Sequence, residues 1–322
     1  MIDVRHIAGE IGKTITKTAD DIGKTAASLG GKTKETITKS QQMVMSAIDQ
    51  NGNGKVDIED VIVMGLKIPG IQIDRESFLR KELQSKFSKE IINDAVAFNP
   101  LHANIPVNVI DKLANEVIEY ERRCVSGIST LLGMPGGMAM AATIPTDIVQ
   151  YYGYMLRATQ KLMYLYGFPA IDVRENGQKF DSETLNILII CLGAMYGVAG
   201  ASNALKAMAK ALATGVEKHL LRSALTKGTF YPIIKSVAKW FSVNMTKKMF
   251  AGFFKKVIPV AGGIIGGGIT YLTFKPCCVK LQSSLQNTML SNPDYSPTDA
   301  DDSIINEELL PPAENVPIDE IK

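Results

Sequence analysis

Residues 144–169 read IPTDIVQYYGYMLRATQKLMYLYGFP, and the periodicity of this stretch decides the fold class. Ile148, Val149, Tyr152, Met155, Leu156, Leu162 and Met163 recur at the spacing of a buried helix. Asp147, Gln150, Tyr154, Arg157 and Lys161 fall within an arc of roughly 80° on the same helix, because each residue advances about 100°. A narrow polar stripe of this kind is costly in a core unless its members pair, and Asp147 with Arg157 or Lys161 is the natural pairing across turns. Pro145 suits a first helical turn, with Thr143 or Thr146 as the cap. Two readings of the stripe stay open. It is either a structural network that fixes helix register, or a candidate polar pocket for a lipid headgroup, phosphate or small substrate, with Arg157 and Lys161 as the anion contacts.

Working outward, helical periodicity also covers 75–86, 88–97 and 106–123, with Pro100 and Pro106 marking turns. No run of alternating apolar and polar residues suggests a strand, so the expected fold is all-α. Three stretches carry no charge: Cys124–Thr146, Thr184–Leu205 and Val257–Phe274. Their lengths approach the roughly 20 residues that cross a bilayer. Met134-Pro135-Gly136-Gly137 and Ile258-Pro259 interrupt two of them, while Gly193-xxx-Gly197 and Gly262-xxx-Gly266 suit close helix crossings. Buried core helices are therefore expected in preference to membrane spans.

Upstream, residues 49–60 read DQNGNGKVDIED. Asp49, Asn51, Asn53, Asp57 and Asp60 place oxygens at loop positions one, three, five, nine and twelve, and Lys55 offers its carbonyl at position seven. Gly54 stands where the backbone must turn sharply, and Val56 supplies an apolar position eight. A hard cation needs six to eight oxygens around one point, and this spacing resembles an EF-hand loop. Ca²⁺ is the expected ion. Asp60 in place of the usual Glu is one methylene shorter, as in dockerin-like loops, and suits modest affinity or the smaller Mg²⁺. Residues 36–48 and 58–67 fit the entering and leaving helices, so 36–68 forms a single helix-loop-helix; an ordinary Asn-Gly turn between two helices is the plainer alternative.

The first 35 residues repeat Ile-Gly-Lys-Thr at positions 11–14 and 22–25. A period of eleven keeps Ile11, Ile15, Ile22, Ala26 and Leu29 on one stripe. Gly12, Gly23, Gly30 and Gly31 weaken that helix, which makes a soluble, unfolded arm the expectation over a lipid-bound one. At the other end, residues 290–322 hold nine acids against Lys322, so 289–322 is expected to be a disordered acidic tail. The formal net charge of +2 hides this asymmetry. Residues 206–256 carry ten lysines and Arg222 against Glu217 alone, a block suited to a negatively charged surface. The hydrophobic share of 46% permits a large core. Cys124, Cys191, Cys277 and Cys278 form no CxxC pair, and with His6, His102 and His219 they suggest no zinc site, so a reduced, cytoplasmic setting is expected. No apolar leader follows Met1.

From about 72 to 288 the chain resembles the bacterial EcsC family. The residues that carry the likeness are Met134-Pro135-Gly136-Gly137, the stretch 144–169, GAMYGVAGASNALKAMAK at 193–210 and IPVAGGIIGGGITYLTFKP at 258–276. The resemblance implies a helical protein, cytoplasmic or peripheral to the inner face of the cytoplasmic membrane, and no established reaction. An ABC transporter is a partner that the family name implies. Anionic membrane is the partner expected from the basic stretch, with Phe230, Tyr231, Trp240, Phe241, Phe250, Phe253 and Phe254 as its aromatic contacts. Nucleic acid is not expected. No nucleophile elbow or Walker loop appears: Gly127-Ile128-Ser129-Thr130-Leu131 lacks the second glycine, and Gly268 is followed by Ile-Thr. A binding or regulatory role is therefore the first expectation. A hydrolase built around Asp147, Tyr154 and Arg157 is the alternative.

Overall fold

Helix follows helix in the computed structural model, which describes residues 49, 57–132, 139–171, 182–215, 225, 228, 230–242 and 262–296, with the backbone course alone at 127–132, 139–149, 182 and 262–270. The elements are α1 (Ile58–Lys67), α2 (Arg75–Leu83), α3 (Lys89–Ala97), α4 (Val107–Leu132), α5 (Ala139–Leu165), α6 (Ser182–Tyr196), α7 (Ala201–Ala213), α8 (230–242) and α9 (Gly262–Gln286). There is no strand among the described residues, so the chain is all-α as its periodicity predicts.

Capping side chains fix where the short helices begin. Asp74 accepts the Ser77 N–H at 2.8 Å at the head of α2, and Ser88 caps α3. Such caps satisfy donors that the first turn leaves without partners. Arg75 closes the opposite end of α3. Its buried guanidinium donates to the carbonyls of Val96 at 2.6 Å, Phe98 at 2.8 Å and Ala95 at 3.3 Å, and to Phe168 after α5 at 3.1 Å. One side chain thus ties α2, α3 and the end of α5 together.

The centre of the fold is α4, α5 and α9. α9 packs along α4, and α4 along α5, while α1 lies across α5, and α6 and α7 pack together and on α9. Lys275 reaches Glu119 at 2.6 Å, and Arg122 stands 3.7 Å over the Tyr271 ring, so charge and aromatic contacts clasp α9 to α4. α1 crosses α5 closely. A Cβ added to Gly65 would lie 3.1 Å from Leu156 Cδ1 and 3.3 Å from Gly153 Cα. Tyr152, Tyr196, Trp240 and Phe241 join α5, α6 and α8 through rings 5.0–6.3 Å apart.

Several boundaries differ from the sequence expectation. α2 stops at Leu83 because the Leu83 carbonyl accepts both Lys86 and Phe87 N–H, a tightening turn that closes the helix. α4 runs past residue 123 to Leu132, since loss of charge ends the polar face and no proline intervenes before Pro135. α5 begins at Ala139, so Pro145 lies inside the helix, and neither Thr143 nor Thr146 is its cap. The residues before Pro145 include Ala139, Ala141 and Ala142, strong helix formers that carry the helix back beyond it. Gly193 is a packing glycine, but its expected partner Gly197 has φ +71° and ends the helix in a turn. Leu290 and Ser291 are buried, so packing continues past residue 288. Among the described residues no helix is long and apolar enough to cross a membrane. The arm at 1–35, the helix at 36–48, Gly262-xxx-Gly266 side-chain packing and the tail beyond 296 lie outside what is described.

Candidate functional site

Two groups of polar side chains stand out, and α1 and α5 hold one each. The first belongs to the 49–60 loop. α1 starts at Ile58, and Asp57 before it accepts the Glu59 N–H at 3.0 Å and the Asp60 N–H at 3.2 Å through Oδ1. Asp60 returns the contact, taking the Asp57 N–H on Oδ2 at 2.9 Å. This reciprocal capping box gathers loop positions nine and twelve on one helical turn. Asp60 is buried at 1% exposure, and Glu59 beside it is raised above the usual carboxylate range, first by burial and then by the charges of Asp57 and Asp60. Asp49 is described too; Asn51, Asn53 and Lys55 lie outside the described residues. Ile58, Val61, Ile62 and Leu66 fix α1 in the core, each nearly or fully buried. At about 1.5–3 kcal/mol per side chain, that face anchors the helix firmly.

The second group is the α5 stripe. Gln150, Tyr154, Arg157 and Lys161 are all buried on one face of α5, as the arc predicts. Asp147 lies on the same helix but its side chain is outside what is described. The acid that meets both cations is Glu121 of α4, a correction to the expected pairing with Asp147. Lys161 Nζ stands 2.5 Å and Arg157 Nε 3.1 Å from the same oxygen, Glu121 Oε1. The reason is geometric. A contact across the α4–α5 interface places the carboxylate opposite the cations, while Asp147 is ten residues from Arg157 along a rigid rod, about 15 Å away at 1.5 Å per residue.

The electrostatics are asymmetric. Burial opposes both cations, but Glu121, Tyr154 and Tyr120 raise the pKa of Arg157 overall, whereas at Lys161 burial wins and lowers it. Tyr154 and Cys124 are pushed up chiefly by burial, which keeps phenol and thiol protonated and poorly suited to act as nucleophiles. Tyr120 stands over the group, its ring centroid 5.2 Å from Lys161 Nζ and 6.0 Å from Arg157 Cζ. It also lines, with Glu119 and Arg123, an open groove along α4 of about 810 Å³.

No family profile, curated protein or solved structure matches this chain. Glu121 and Tyr120 were missed by the α5 stripe because they sit on another helix. A signal existed. Ile110, Leu113, Ala114, Val117, Ile118 and Val125 make the buried stripe of α4, and Glu121 falls at its next inward position.

The expected lipid-facing aromatics need correction. Phe230 and Phe241 are fully buried, packed by the same helical periodicity that makes α8 amphipathic. Tyr231 is exposed, with Lys235 Nζ 4.5 Å from its ring centroid, and Lys239 is exposed as well. Trp240 is half-buried in the ring cluster. Phe250, Phe253 and Phe254 lie outside the described residues. Cys124, Cys191, Cys277 and Cys278 form no disulfide.

Proposed function

We propose that this chain is a divalent-cation-binding, non-catalytic helical protein of EcsC type, with loop 49–60 as its cation site and an anionic membrane face as its working surface. The observation that carries the reading is the turn Asp57–Asp60. Positions nine and twelve of the loop share one helical turn beside Glu59, whose carboxyl their charges help raise; among the described residues no three acids are grouped to hold a metal ion, so the site needs the rest of the loop. Asp49, Asn51, Asn53 and the Lys55 carbonyl would complete the oxygen set, and Ca²⁺ or Mg²⁺ would supply charge neutralisation and loop order. Because α1 is anchored against α5 at Gly65 and Gly153, ordering the loop acts on the core rather than on a loose appendage. Exposed Tyr231, Lys235 and Lys239 on α8 support the membrane part. Each basic residue near an anionic surface is worth about 1 kcal/mol.

Calorimetric titration of the full chain with Ca²⁺ and with Mg²⁺ tests the cation site. Heat is expected from at least one ion, and Asp49→Ala/Asp60→Ala should abolish it. Silence from both ions in the wild type ends the proposal. For the membrane part, anionic vesicles should bind the protein at low salt and release it at high salt; retention at high salt argues for insertion instead.

A further inference from the structure

The α4–α5 polar group has a bonding inventory that the described residues do not complete. Gln150 is 2% exposed, and neither its Nε2 nor its Oε1 has a hydrogen-bond partner among the described residues. Glu121 is fully buried; Oε1 takes both cations while Oε2 has no partner there. Arg157 Nε approaches Oε1 at 3.1 Å, yet without hydrogen-bond alignment. Buried polar groups are nearly always satisfied, so these orphans, spread over two turns of α5 and the facing carboxylate of α4, call for an occupant.

Two features define that occupant. Within this described group, Arg157 and Lys161 against Glu121 leave a net single positive charge, which a monoanion balances. The orphans include donors (Arg157 Nε and Gln150 Nε2) and acceptors (Gln150 Oε1 and Glu121 Oε2). A carboxylate or sulfate accepts but has no proton to give. A phosphate that retains a proton does both, and Arg is the side chain best matched to its oxygens. Gln150 and Arg157 lie seven residues apart on one face, about 10.5 Å along the axis, so a group held by both would lie between their side chains. We propose that this group binds a protonated phosphate, free or as the headgroup of a phosphomonoester, held by Arg157 and Gln150 with Glu121 accepting a hydrogen bond from its P–OH. Tyr120 is 38% exposed and stands between the group and the open groove on α4, which makes it the point of entry.

The test is thermal unfolding of the full chain at neutral pH with inorganic phosphate, with sulfate at equal ionic strength, and with monomeric short-chain phosphatidic acid. At least one phosphate probe should raise the wild-type midpoint well beyond sulfate, and the stronger of the two names the source. Arg157→Lys should weaken the apparent affinity by about tenfold or more, because a point charge replaces the fork. Gln150→Leu should lose the phosphate-dependent rise without lowering the ligand-free midpoint, since it removes an amide with no hydrogen-bond partner among the described residues. A rise that sulfate reproduces, or that survives intact in Gln150→Leu, overturns the assignment. So does no rise with either phosphate probe, which leaves trapped water to complete the group.

Discussion

Glu121 takes Lys161 and Arg157 on one carboxylate oxygen, at 2.5 and 3.1 Å, with all three side chains inside the protein. Desolvation of three charges is expensive, and only their mutual attraction offsets it, so the loss of the shared anion should hurt more than the loss of either cation. Glu121→Gln keeps the shape and leaves two buried cations facing each other. It should cost about 3–5 kcal/mol, read as a lower urea midpoint with unchanged slope. Lys161→Met should cost clearly less, because burial already disfavours the Lys161 charge and the Arg157–Glu121 pair survives. Equal losses from the two variants would show that Glu121 is not the shared centre. Arg75 makes a useful contrast at the same scale. It too is buried, but it is satisfied by four backbone carbonyls, so its role is to close helix ends and not to await a ligand.

At the scale of elements, small residues decide how closely the helices approach. A Cβ on Gly193 of α6 would fall 2.5 Å from Val237 Cγ2 of α8 and 3.1 Å from Ala201 Cβ of α7. Gly193→Ala should therefore destabilise by about 1–3 kcal/mol through overpacking. Val237→Ala in the same chain should recover part of that loss, and a double-mutant cycle by chemical denaturation reads the coupling. A coupling near zero would place the clash elsewhere. These crossings also show what the sequence makes legible. The face of α5 is readable because it needs only the period of one helix, and α1 is readable because the Asp57 cap and Pro69 bracket it. Glu121 against Lys161 spans forty residues and depends on how α4 meets α5, which no local spacing encodes. Phe241 misleads for the same reason: an aromatic beside lysines looks like a membrane contact until Tyr152 and Tyr196 are seen to cover it.

For the whole molecule, the helices share one core, and that core holds phenols as well as aliphatics. Tyr152, Tyr154, Tyr164 and Tyr166 are each no more than 5% exposed. Burial raises all four above the ordinary tyrosine value of 10.0, with Tyr152 pushed up to about 12. Below pH 10 both folded and unfolded chains keep these protons, so the groups contribute their full stability. Above it the unfolded chain releases protons that the folded chain retains, and stability falls as pH rises. The slope is about 1.4 kcal/mol per pH unit for each tyrosine, so four act steeply together. Lys161 works in the opposite sense: its lowered pKa means that its buried charge costs stability at neutral pH and is relieved as pH rises, but it is one group against four. The expected outcome is cooperative alkaline unfolding soon above pH 10, in which tyrosinate absorbance of the buried set and loss of helical circular dichroism rise together. If those tyrosines ionised near pH 10 while the helical signal held, the shared core would be open to water, and the α4–α5 group could not be the dry site that its unpaired atoms indicate.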